Sequence, residues 1–490
     1  MYPLAKIFFT EGYKITGSDN NETVTLDAIR KMRNVRGEGI KVFMGHNPEN
    51  INGADLIIYS SAISKDNPEL AAASLKNIET RDRAELLGLL TSRHDKAVCI
   101  VGTHGKTTVT SMLTHILLAA GLDISAFVGG KLKILDGSSR IGSSGIMVAE
   151  ACEFNNNFLK LDPNITIVLN IDQDHMDYFK TMDNLISSFS KFCDMTSDLL
   201  VINGDDENTR KAVRNSKFET FLEAGALPDA KNLNGNPTAH TSFSGGEIVS
   251  DGTAVEKKVI TFGTESGNDY YPRNIKKISV PDRKSAFESS FELWHKGKFL
   301  TEIIISVPGE HNILNAVAAC AAGIYLGADT DALKAGLCGF QGAGRRFERI
   351  YDKNGITVVD DYAHHPAEIE ATLKTAKSMR FKRVWAVHQP FTYSRTKALL
   401  DEFALALSIA DKVILSDIMG GREADNGIVK SEDLADKIKS ADVIHNFVEI
   451  AEYAAQNAES GDLIITMGCG DVDKAARLIA EKLENDTRLT

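Results

Sequence analysis

A glycine-rich segment after an apolar run is the part of the sequence with the clearest chemistry. Its residues are Gly102, Thr103, His104, Gly105, Lys106, Thr107 and Thr108. Glycines let backbone N–H groups turn toward phosphate oxygens, and the N-terminus of a following helix adds partial positive charge. In such a loop Lys106 would reach the β- and γ-phosphates of ATP, and Thr107 would offer its hydroxyl to Mg²⁺. Helical periodicity over 109–120 favours a phosphate-binding loop over an ordinary tight turn.

Two ionisable side chains follow the next predicted strands. Glu150 ends an apolar run over 146–149, and His175 lies in the polar segment after a second apolar run over 165–169. Ligands of an open parallel sheet bind at the carboxyl ends of its strands, where both residues would lie. Because Mg²⁺ keeps several waters and needs only one or two protein groups, we predict a second magnesium position at Glu150 and His175. The alternatives are a solvated acid at a strand end and a structural histidine.

An alanine-rich helix is predicted to begin near 308–316 and to carry two asparagines on one face. Asn312 and Asn315 are three residues apart, a spacing that brings side chains together on a helix. Paired amides in this position would hydrogen-bond the edge of a purine or the neighbouring loop. Capping of the helix is an equally consistent interpretation.

Polar, aromatic and histidine residues crowd the predicted strand ends in the last third of the chain. Strands at 356–359 and 383–387, followed by two more, indicate a second doubly wound sheet. Arg346 and Arg395 lie in loops next to these strands. Guanidinium groups match the geometry of phosphates and carboxylates, so we predict that both bind ligand anions. The alternative is a pair of solvated charges.

The start of the chain predicts short alternating elements. Residues 1–9 have helical spacing, and strands are predicted over 13–16, 41–44 and 54–60. This alternation implies one parallel sheet of the nucleotide-binding type. Asp19, just after the first of these strands, matches the acidic position that meets a ribose; a solvated turn aspartate is the alternative. Such a domain normally opens with a strand and a glycine-rich turn, and we expect both to be missing before the first helix.

Together these elements predict an α/β chain of three domains, at about 150 residues each. Residues 1–94 would form a Rossmann-like domain without its first strand. Residues 95–342 would form a central domain of the P-loop ATPase type, with a polar β insertion over 225–300 that ends in a hairpin. Residues 343–490 would form a doubly wound, Rossmann-like C-terminal domain.

Composition argues against several classes of protein. The 490 residues carry 55 Lys and Arg against 67 Asp and Glu, and a net charge of −12 is unlike that of general nucleic-acid binders. No apolar run reaches the roughly 18 residues of a membrane span, and the start lacks the pattern of a secretory signal. Six scattered cysteines without metal-type spacing are typical of a reduced, cytoplasmic chain.

Ordered motifs along nearly the whole chain make the sequence resemble the Mur ligase family. They are Gly17–Asp19, GTHGKTT at 102–108, EACEFNNNFLKL from Glu150, NIDQDHMDYF from Asn170, GEHNILNA from Gly309, GRRFE from Gly344, DDYAHHPAEI from Asp360 and QPFTYSRTK from Gln389. The resemblance implies an enzyme that uses ATP to join L-alanine to the lactyl carboxylate of UDP-N-acetylmuramate through an acyl phosphate, in peptidoglycan precursor synthesis. The DDYAHHP stretch resembles the L-alanine-adding members and a peptide-recycling ligase more than the later ligases.

The resemblance also implies roles for individual residues. ATP would bind along 102–108, and its adenine or ribose would contact Asn312, Asn315 and Arg346. Mg²⁺ would be held by Thr107, Glu150 and His175. The substrates or the reaction intermediate would contact Asp19, Tyr362, His364, His365 and Arg395. The groups that act in catalysis would be Lys106, Glu150, His175, His365 and Arg395.

Two departures from the family pattern bear on these expectations. The opening strand and glycine-rich turn, which hold the uridine diphosphate in the family, are not found before the first helix. The family's order of phenylalanine, glutamine, proline and histidine is here His388-Gln389-Pro390-Phe391, with the end residues exchanged. The alternatives are a peptide-recycling murein ligase and a nucleotide-binding remnant without catalysis.

Overall fold

The computed structural model describes most of the chain and divides it into two compact units. The described residues are 1–34, 36–60, 63–220, 258–278, 288–379, 381–421, 423–425 and 427–485. The first unit comprises Met1–Ile275, Phe291–Ile303 and Leu314–Gly339. The second unit comprises Lys276–Ser290, Ile304–Ile313 and Phe340–Thr490. Parts of the predicted β insertion, at 225–257 and 279–287, lie outside the described residues.

Short helices and strands alternate at the start of the first unit. The helices are α1 (Tyr2–Thr10), α2 (Val24–Lys31), α3 (Pro68–Leu75) and α4 (Arg83–Thr91). The strands are β1 (Thr16–Asp19), β2 (Lys41–Met44), β3 (Leu56–Tyr59) and β4 (Glu79–Asp82). β1 pairs with β2 and β3 with β4, both in parallel. Among the described residues each of these four-residue strands pairs with only one other strand. They therefore form two separate two-stranded sheets, and the single parallel sheet expected from the sequence is not found.

The first strand begins at Thr16, later than its predicted start at Tyr13. The N–H of Tyr13 donates to the carbonyl oxygen of Phe8 at the end of α1, over 3.0 Å. The Tyr13 ring also meets the Phe8 ring edge-on, with centroids 5.4 Å apart. These contacts hold Tyr13 against the helix end, so it does not enter the strand.

A ten-stranded sheet carries the phosphate loop. Its strands are β5 (Lys96–Val101), β6 (Ser125–Leu132), β7 (Gly137–Arg140), β8 (Ile146–Glu150), β9 (Ile165–Val168), β10 (Leu199–Asn203), β11 (Lys258–Phe262), β12 (Tyr270–Lys277), β13 (Ser289–His295) and β14 (Lys298–Ile305). Their order is β14-β13-β12-β11-β10-β9-β5-β8-β6-β7. β5 lies between β9 and β8, is parallel to both, and is buried from Ala97 to Val101. A strand covered on both faces requires such a continuous apolar run.

Helices and short 3₁₀ segments cover this sheet. The helices are α5 (Lys106–Ala119), α6 (Met176–Phe179), α7 (Met182–Met195), α8 (Glu207–Arg214), α9 (Glu310–Tyr325) and α10 (Thr330–Gly339). Two 3₁₀ segments, Lys133–Leu135 and Phe154–Lys160, follow strands of this sheet, and a third, Pro48–Ile51, packs against α3. α10 packs closely on α5 at Gly336, where a Cβ would lie 2.6 Å from the Cα of Ile116. None of the described helices is long and apolar enough to span a bilayer.

The second unit contains a doubly wound sheet of six strands, as the sequence predicts. The strands are β15 (Glu348–Lys353), β16 (Ile356–Asp361), β17 (Arg383–His388), β18 (Lys412–Leu415), β19 (Ala441–Val443) and β20 (Asp462–Met467). Their order is β15-β16-β20-β17-β18-β19, and β15 is antiparallel to its neighbour while the others are parallel. Val358 and Val359 of β16 point into different apolar cores, as expected when helices cover both faces.

Helices separate these strands in the chain. They are α11 (Pro366–Lys377), α12 (Tyr393–Ala398), α13 (Leu400–Leu407), α14 (Ser431–Ala435), α15 (Phe447–Asn457) and α16 (Asp473–Glu484). Because the crossovers return each strand in the same direction, the carboxyl ends of β16, β17 and β20 lie at one edge of the sheet. That edge carries the residues that the sequence predicts to bind ligands in this unit.

Candidate active site

Two glycines give the phosphate loop a backbone that other residues would strain. Gly102 follows β5 with a φ of +142°, and a Cβ on it would lie 3.0 Å from the Cβ of Leu169. Gly105 stands just before α5 with a φ of +87°, and a Cβ on it would lie 2.7 Å from Oδ1 of Asn315. Positive φ and near neighbours both disfavour a side chain, so glycine is required at these two positions.

The residues between the glycines are tied to the segment that follows β9. The N–H groups of Thr103 and His104 donate to the backbone oxygen and the Oδ1 of Asn170, over 3.0 and 2.8 Å. The Thr103 hydroxyl also exchanges hydrogen bonds with the backbone of Asp172. These two N–H groups therefore stabilise the loop itself. The donors that remain for a phosphate are those of the first turn of α5, which lack intrahelical acceptors.

Lys106 is folded back over the phosphate loop. Its Nζ donates to the carbonyl oxygens of Gly102 and Thr103, over 2.5 and 3.0 Å, and to Oε1 of Glu153 over 3.1 Å. The side chain of Glu153 is 2% exposed and that of Lys106 is 15% exposed. Burial alone would lower the pKa of Lys106, but the charges of Glu153 and Glu150 outweigh it and raise the pKa. The lysine is therefore a charged ammonium held inside the protein.

Glu150 ends β8 and connects that strand to α5. Its Oε2 accepts a hydrogen bond from the Thr107 hydroxyl over 2.8 Å and another from the N–H of Gly129 over 2.9 Å. A hydroxyl and a carboxylate that meet in this way are oxygen ligands of the type that Mg²⁺ prefers. The residues therefore fit the metal that the sequence predicts at Thr107 and Glu150.

Glu153, which contacts Lys106, forms a cluster with Asp174 and His175. One ligand atom from each residue lies within 4.8 Å of the others, an arrangement that could hold a metal ion. His175 has a φ of +53° just before α6, and its ring centroid lies 4.8 Å from that of Phe154. Lys106 and His175 therefore share Glu153 as a neighbour.

Sequence reasoning missed both acids of this cluster. Glu153 lies three residues after Glu150, in a segment between regular elements. That spacing alone does not show which of the two acids contacts Lys106. Asp174 stands directly before His175, and its Oδ1 accepts the N–H of His175 over 2.7 Å. The signal that could have found Glu153 is its place in the short segment that directly follows the strand ending at Glu150.

A cavity of about 270 Å³ opens beside Glu150. Its wall includes Arg83, Phe127, Cys152 and Asn157. Arg83 is the first residue of α4, is exposed, and places its guanidinium carbon 5.3 Å from the centroid of the Phe127 ring. A positively charged group at the rim of a cavity that reaches Glu150 is suited to an anionic ligand.

Asp19 is the last residue of β1, as the motif predicts. Its Oδ1 accepts the N–H of Asn21 over 3.0 Å, so it also shapes the turn that follows the strand. Ser18 next to it donates to Glu69 over 2.7 Å and lies 3.1 Å from Nδ1 of His46. A polar, partly buried cluster therefore lies at the carboxyl ends of β1 and β2.

The two asparagines predicted at the start of α9 have different surroundings. Asn312 donates from Nδ2 to the carbonyl oxygen of Pro308 over 2.6 Å, which ties it to the segment before the helix and is not a cap, since a capping side chain accepts from a backbone N–H. Asn315 places its Oδ1 against Gly105 of the phosphate loop. Contact with the neighbouring loop, one of the two roles predicted for these amides, is therefore found at Asn315.

In the second unit, the ring of Tyr362 lies close to two arginines. The guanidinium carbons of Arg345 and Arg346 lie 5.2 and 5.0 Å from the centroid of its ring. Arg345 donates to Asp360 over 2.9 Å and to the carbonyl oxygens of Gly468 and Gly470 over 2.6 Å each. Arg345, which was not predicted, thus joins the ends of β16 and β20, whereas Arg346 remains the arginine suited to a ligand.

The other predicted residues of this unit lie near the same strand ends. The rings of Tyr362 and His364 have centroids 5.4 Å apart, and Nδ1 of His364 lies 3.3 Å from Glu368. His365 caps the N-terminus of α11. Arg395 lies on α12 and is half-buried. Burial of Cys469 raises the pKa of its thiol to about 11, and the positive charge of Arg395 opposes that rise.

The exchanged histidine of the HQPF segment lies inside the second unit. His388 is fully buried at the end of β17, and its Nδ1 lies 3.0 Å from the carbonyl oxygen of Met467. Burial lowers its pKa to about 4, so the ring is neutral at pH 7. Phe391 is half-buried and lies beside Gly421. The exchange therefore places the imidazole in an apolar core.

Comparison with known proteins relates this arrangement to a family. Three family models match the chain: "Mur ligase family, catalytic domain" over 1–95, "Mur ligase middle domain" over 100–256 and "Mur ligase, glutamate ligase domain" over 345–470. The UDP-N-acetylmuramate–L-alanine ligase of Caldanaerobacter subterraneus subsp. tengcongensis is 38% identical over 488 residues, 98% of this chain and 95% of that protein. The chain belongs to the Mur ligase family. This Mur ligase is also 40% identical over 484 residues to the ligase of the same name from Acetivibrio thermocellus, 98% and 92% of the two chains.

Solved structures agree with this membership. The UDP-N-acetylmuramate–alanine ligase of Thermotoga maritima superposes on this Mur ligase with a TM-score of 0.76 at 26% identity, covering 99% of this chain and 96% of that one. The murein peptide ligase of Psychrobacter arcticus shares the fold, with a TM-score of 0.65 at 21% identity over 99% and 96% of the two chains. The protein has the three-domain α/β architecture of Mur ligases.

Proposed function

We propose that this Mur ligase uses ATP to join L-alanine to the lactyl carboxylate of UDP-N-acetylmuramate, a step in making peptidoglycan precursors. The observation that carries the proposal is the match over 98% of the chain to ligases of that name. The phosphate loop, with Thr107 bonded to Glu150 and Lys106 paired with Glu153, supports a reaction driven by ATP.

The reaction needs no nucleophile from the protein, because ATP activates the acid. A carboxylate oxygen attacks the γ-phosphorus, the bond from that phosphorus to the β–γ bridging oxygen breaks, and an acyl phosphate and ADP form. The amine of L-alanine then attacks the acyl carbon, the C–O bond breaks to release phosphate, and the amine loses a proton. The protein contributes by positioning the reactants and neutralising charge.

We assign the phosphates of ATP to Lys106 and the first turn of α5, where free N–H donors and positive charge coincide. Thr107, Glu150 and His175 would hold Mg²⁺, which when bound neutralises charge on phosphate oxygens. The contact of Thr107 with Glu150 supports two members of this set, and His175 is kept from the resemblance. The adenine or ribose would contact Asn312, Asn315 and Arg346, as the family resemblance implies.

The sugar-borne acid fits the cavity beside Glu150. Arg83 offers a guanidinium at its rim, and the wall reaches the carboxylate that we assign to Mg²⁺. A carboxylate bound there would lie next to the phosphate loop, as an attack on the γ-phosphorus requires. Asp19, at the end of β1, remains our candidate for the uridine ribose.

The amino acid is assigned to the second unit. Arg395 is suited to its carboxylate, and Tyr362, His364 and His365 lie near the same strand ends. We also keep the predicted domain boundaries, with a sugar-nucleotide domain over 1–94, an ATP-binding domain over 95–342 and an amino-acid domain over 343–490. The crowding of polar side chains at the carboxyl ends of β16 and β20 supports this placement.

The two alternatives are not favoured. A peptide-recycling ligase shares the fold at 21% identity, whereas the relatives at 38% and 40% identity are L-alanine ligases. A remnant without catalysis is not favoured either, because the chain matches ligases at 38% and 40% identity over 98% of its length.

Phosphate release by the purified chain tests the proposed function. We expect release only when UDP-N-acetylmuramate, ATP and L-alanine are all present. Equal release with L-alanyl-D-glutamyl-diaminopimelate in place of L-alanine would support the recycling ligase. A chain that binds ATP and releases no phosphate with any acceptor would support the remnant.

Lys106→Ala supplies the internal control for this assay. It removes the ammonium that we assign to the β- and γ-phosphates, so we expect turnover to fall to background. Unchanged ATP consumption by this variant would discard the assignment of the phosphate loop.

A further inference from the structure

All three hydrogens of the Lys106 ammonium are directed at acceptors within the protein. Two go to the carbonyl oxygens of Gly102 and Thr103, and the third goes to Glu153. A phosphate that enters the loop must draw the ammonium away from these acceptors. The two carbonyl groups lose little, because they remain neutral. Glu153 loses the positive charge that compensates its own.

The surroundings of Glu153 offer little to replace the positive charge of Lys106. Its side chain is 2% exposed, and its Oε2 accepts no hydrogen bond from the described residues, although Lys106 Nζ lies 3.0 Å away. A buried carboxylate is strongly destabilised without a partner. Asp174 adds a second negative charge within 4.8 Å. Once Lys106 turns to a phosphate, Glu153 faces that phosphate as a second anion in a site of low dielectric constant.

We propose that Glu153 is a positioning residue that holds Lys106 in the nucleotide-free protein and makes nucleotide binding dependent on a divalent cation. The inference rests on the proposed function, because it takes the loop to bind the phosphates of a nucleotide. Lys106 passes from Glu153 to the phosphates as they arrive. The charge left on Glu153 opposes a bare nucleotide, and a divalent cation that accompanies the phosphates offsets the repulsion.

Neutralising Glu153 separates this role from a purely structural one. Glu153→Gln keeps the size of the side chain and an oxygen that can accept from Lys106, but it removes the charge. We expect it to bind ADP in EDTA about tenfold more tightly than the unchanged protein, the factor that corresponds to one pKa unit of interaction. In Mg²⁺ we expect the two affinities to agree within about threefold, since the cation already offsets the charge. Isothermal titration calorimetry with ADP measures both conditions.

Two variants serve as matched controls. Glu153→Asp retains the charge, and we expect its affinity for ADP in EDTA to stay within about threefold of the unchanged protein. Asp183→Asn removes the same charge from an exposed acid in the first turn of α7, and we expect no gain in affinity. A merely structural Glu153 would move the result in the opposite direction, because damage to the loop weakens binding.

The outcomes distinguish the inference from the function on which it rests. Equal affinity of Glu153→Gln and the unchanged protein for ADP in EDTA, with normal binding in Mg²⁺, overturns the inference alone. Failure of the unchanged protein to bind ADP in Mg²⁺ overturns both. If Glu153→Gln does not fold, Glu153→Ser removes the same charge and replaces it in the titration. Tighter binding of ADP by Glu153→Ser in EDTA supports the inference, and equal or weaker binding overturns it.

Discussion

The hydroxyl of Thr107 donates to Oε2 of Glu150 over 2.8 Å, and this contact joins the first turn of α5 to the end of β8. The same oxygen accepts the N–H of Gly129 over 2.9 Å, which fixes the carboxylate from a third element, β6. Two oxygen groups that we assign to Mg²⁺, from separate parts of the chain, are thus held together before any ligand binds. Preorganisation of this kind lowers the cost of arranging charge during the reaction.

Thr107→Val should separate this contact from helix packing. The change keeps the branched shape but removes the hydroxyl that we assign to Mg²⁺ and that donates to Glu150. We expect kcat to fall by about 10²-fold or more and the Mg²⁺ concentration for half-maximal rate to rise. Phosphate release as a function of Mg²⁺ concentration measures both.

Thr114→Val is the matched control for this change. Thr114 lies on the same helix, and its hydroxyl bonds only within it, to the carbonyl oxygen of Thr110 over 2.7 Å. We expect its kcat to remain within about threefold of the unchanged protein, since mutations at such sites act on stability rather than on catalysis. A Thr107→Val enzyme that behaves like Thr114→Val would remove Thr107 from the metal site.

Gly105→Ala should weaken ADP binding more than alanine at a similarly strained glycine outside the phosphate loop. Gly105 has a φ of +87° and Asn315 Oδ1 at 2.7 Å from an added Cβ, whereas Gly121 has a φ of +77° and open space. Backbone strain destabilises both alanine variants by about 1 kcal/mol, but only Gly105→Ala also displaces Asn315. We expect weaker ADP binding for Gly105→Ala alone, as measured by calorimetry; similar affinities of the two variants would contradict the steric argument.

Alanine substitutions at the neighbouring residues Arg345 and Arg346 should lower the free energy of unfolding by different amounts. Arg345→Ala leaves the buried carboxylate of Asp360 without its guanidinium, and we expect the free energy of unfolding of the second unit to fall by about 3–5 kcal/mol. Arg346→Ala removes a group that lies over Tyr362, and we expect a loss of only about 1 kcal/mol together with weaker ATP binding. Urea unfolding and the KM for ATP provide the two readouts. Equal losses of stability would show that Arg346 also has a structural role.

His388→Phe should change how the stability of the second unit depends on pH. Burial lowers the folded pKa of His388 to about 4, so between pH 6.5 and 4 the unfolded chain binds a proton that the folded chain does not. Stability from this group is therefore lost as the pH falls, by up to about 3 kcal/mol. Burial raises the pKa of Asp361 to about 6, so its contribution is present at low pH and is lost as the pH rises from about 4 to 6.

The two contributions oppose each other in the unchanged protein between pH 4 and 6. Without His388 its share of the acid-induced loss disappears, so the free energy of unfolding of the variant should fall less between pH 6.5 and 4 than that of the unchanged protein, by up to about 3 kcal/mol. Trp385 lies in the second unit and Trp294 in the first, so fluorescence in a Trp294→Phe background reports the second unit alone. A profile of His388→Phe that runs parallel to that of the unchanged protein would contradict the burial of a neutral histidine.

Features that depend on neighbours in the chain could be predicted from the sequence. The apolar run of β5, the glycines at 102 and 105 and the helical period of α5 are all local, and the structure has each of them where it was predicted. The apolar runs that end at Glu150 and before His175 likewise became β8 and β9. Strand, turn and helix periods are set by backbone sterics and by which face is buried, so a single segment is enough to reveal them.

The sequence by itself therefore determined the family, the α/β class and the position of the phosphate loop. Only the tertiary structure decided that Glu153 pairs with Lys106, that Arg345 joins two strands, and that His388 is buried. It also decided that the first four strands form two sheets. The physical reason is that charge pairing and burial depend on residues that are distant in the chain, and no local spacing specifies which of two adjacent acids or arginines faces inward.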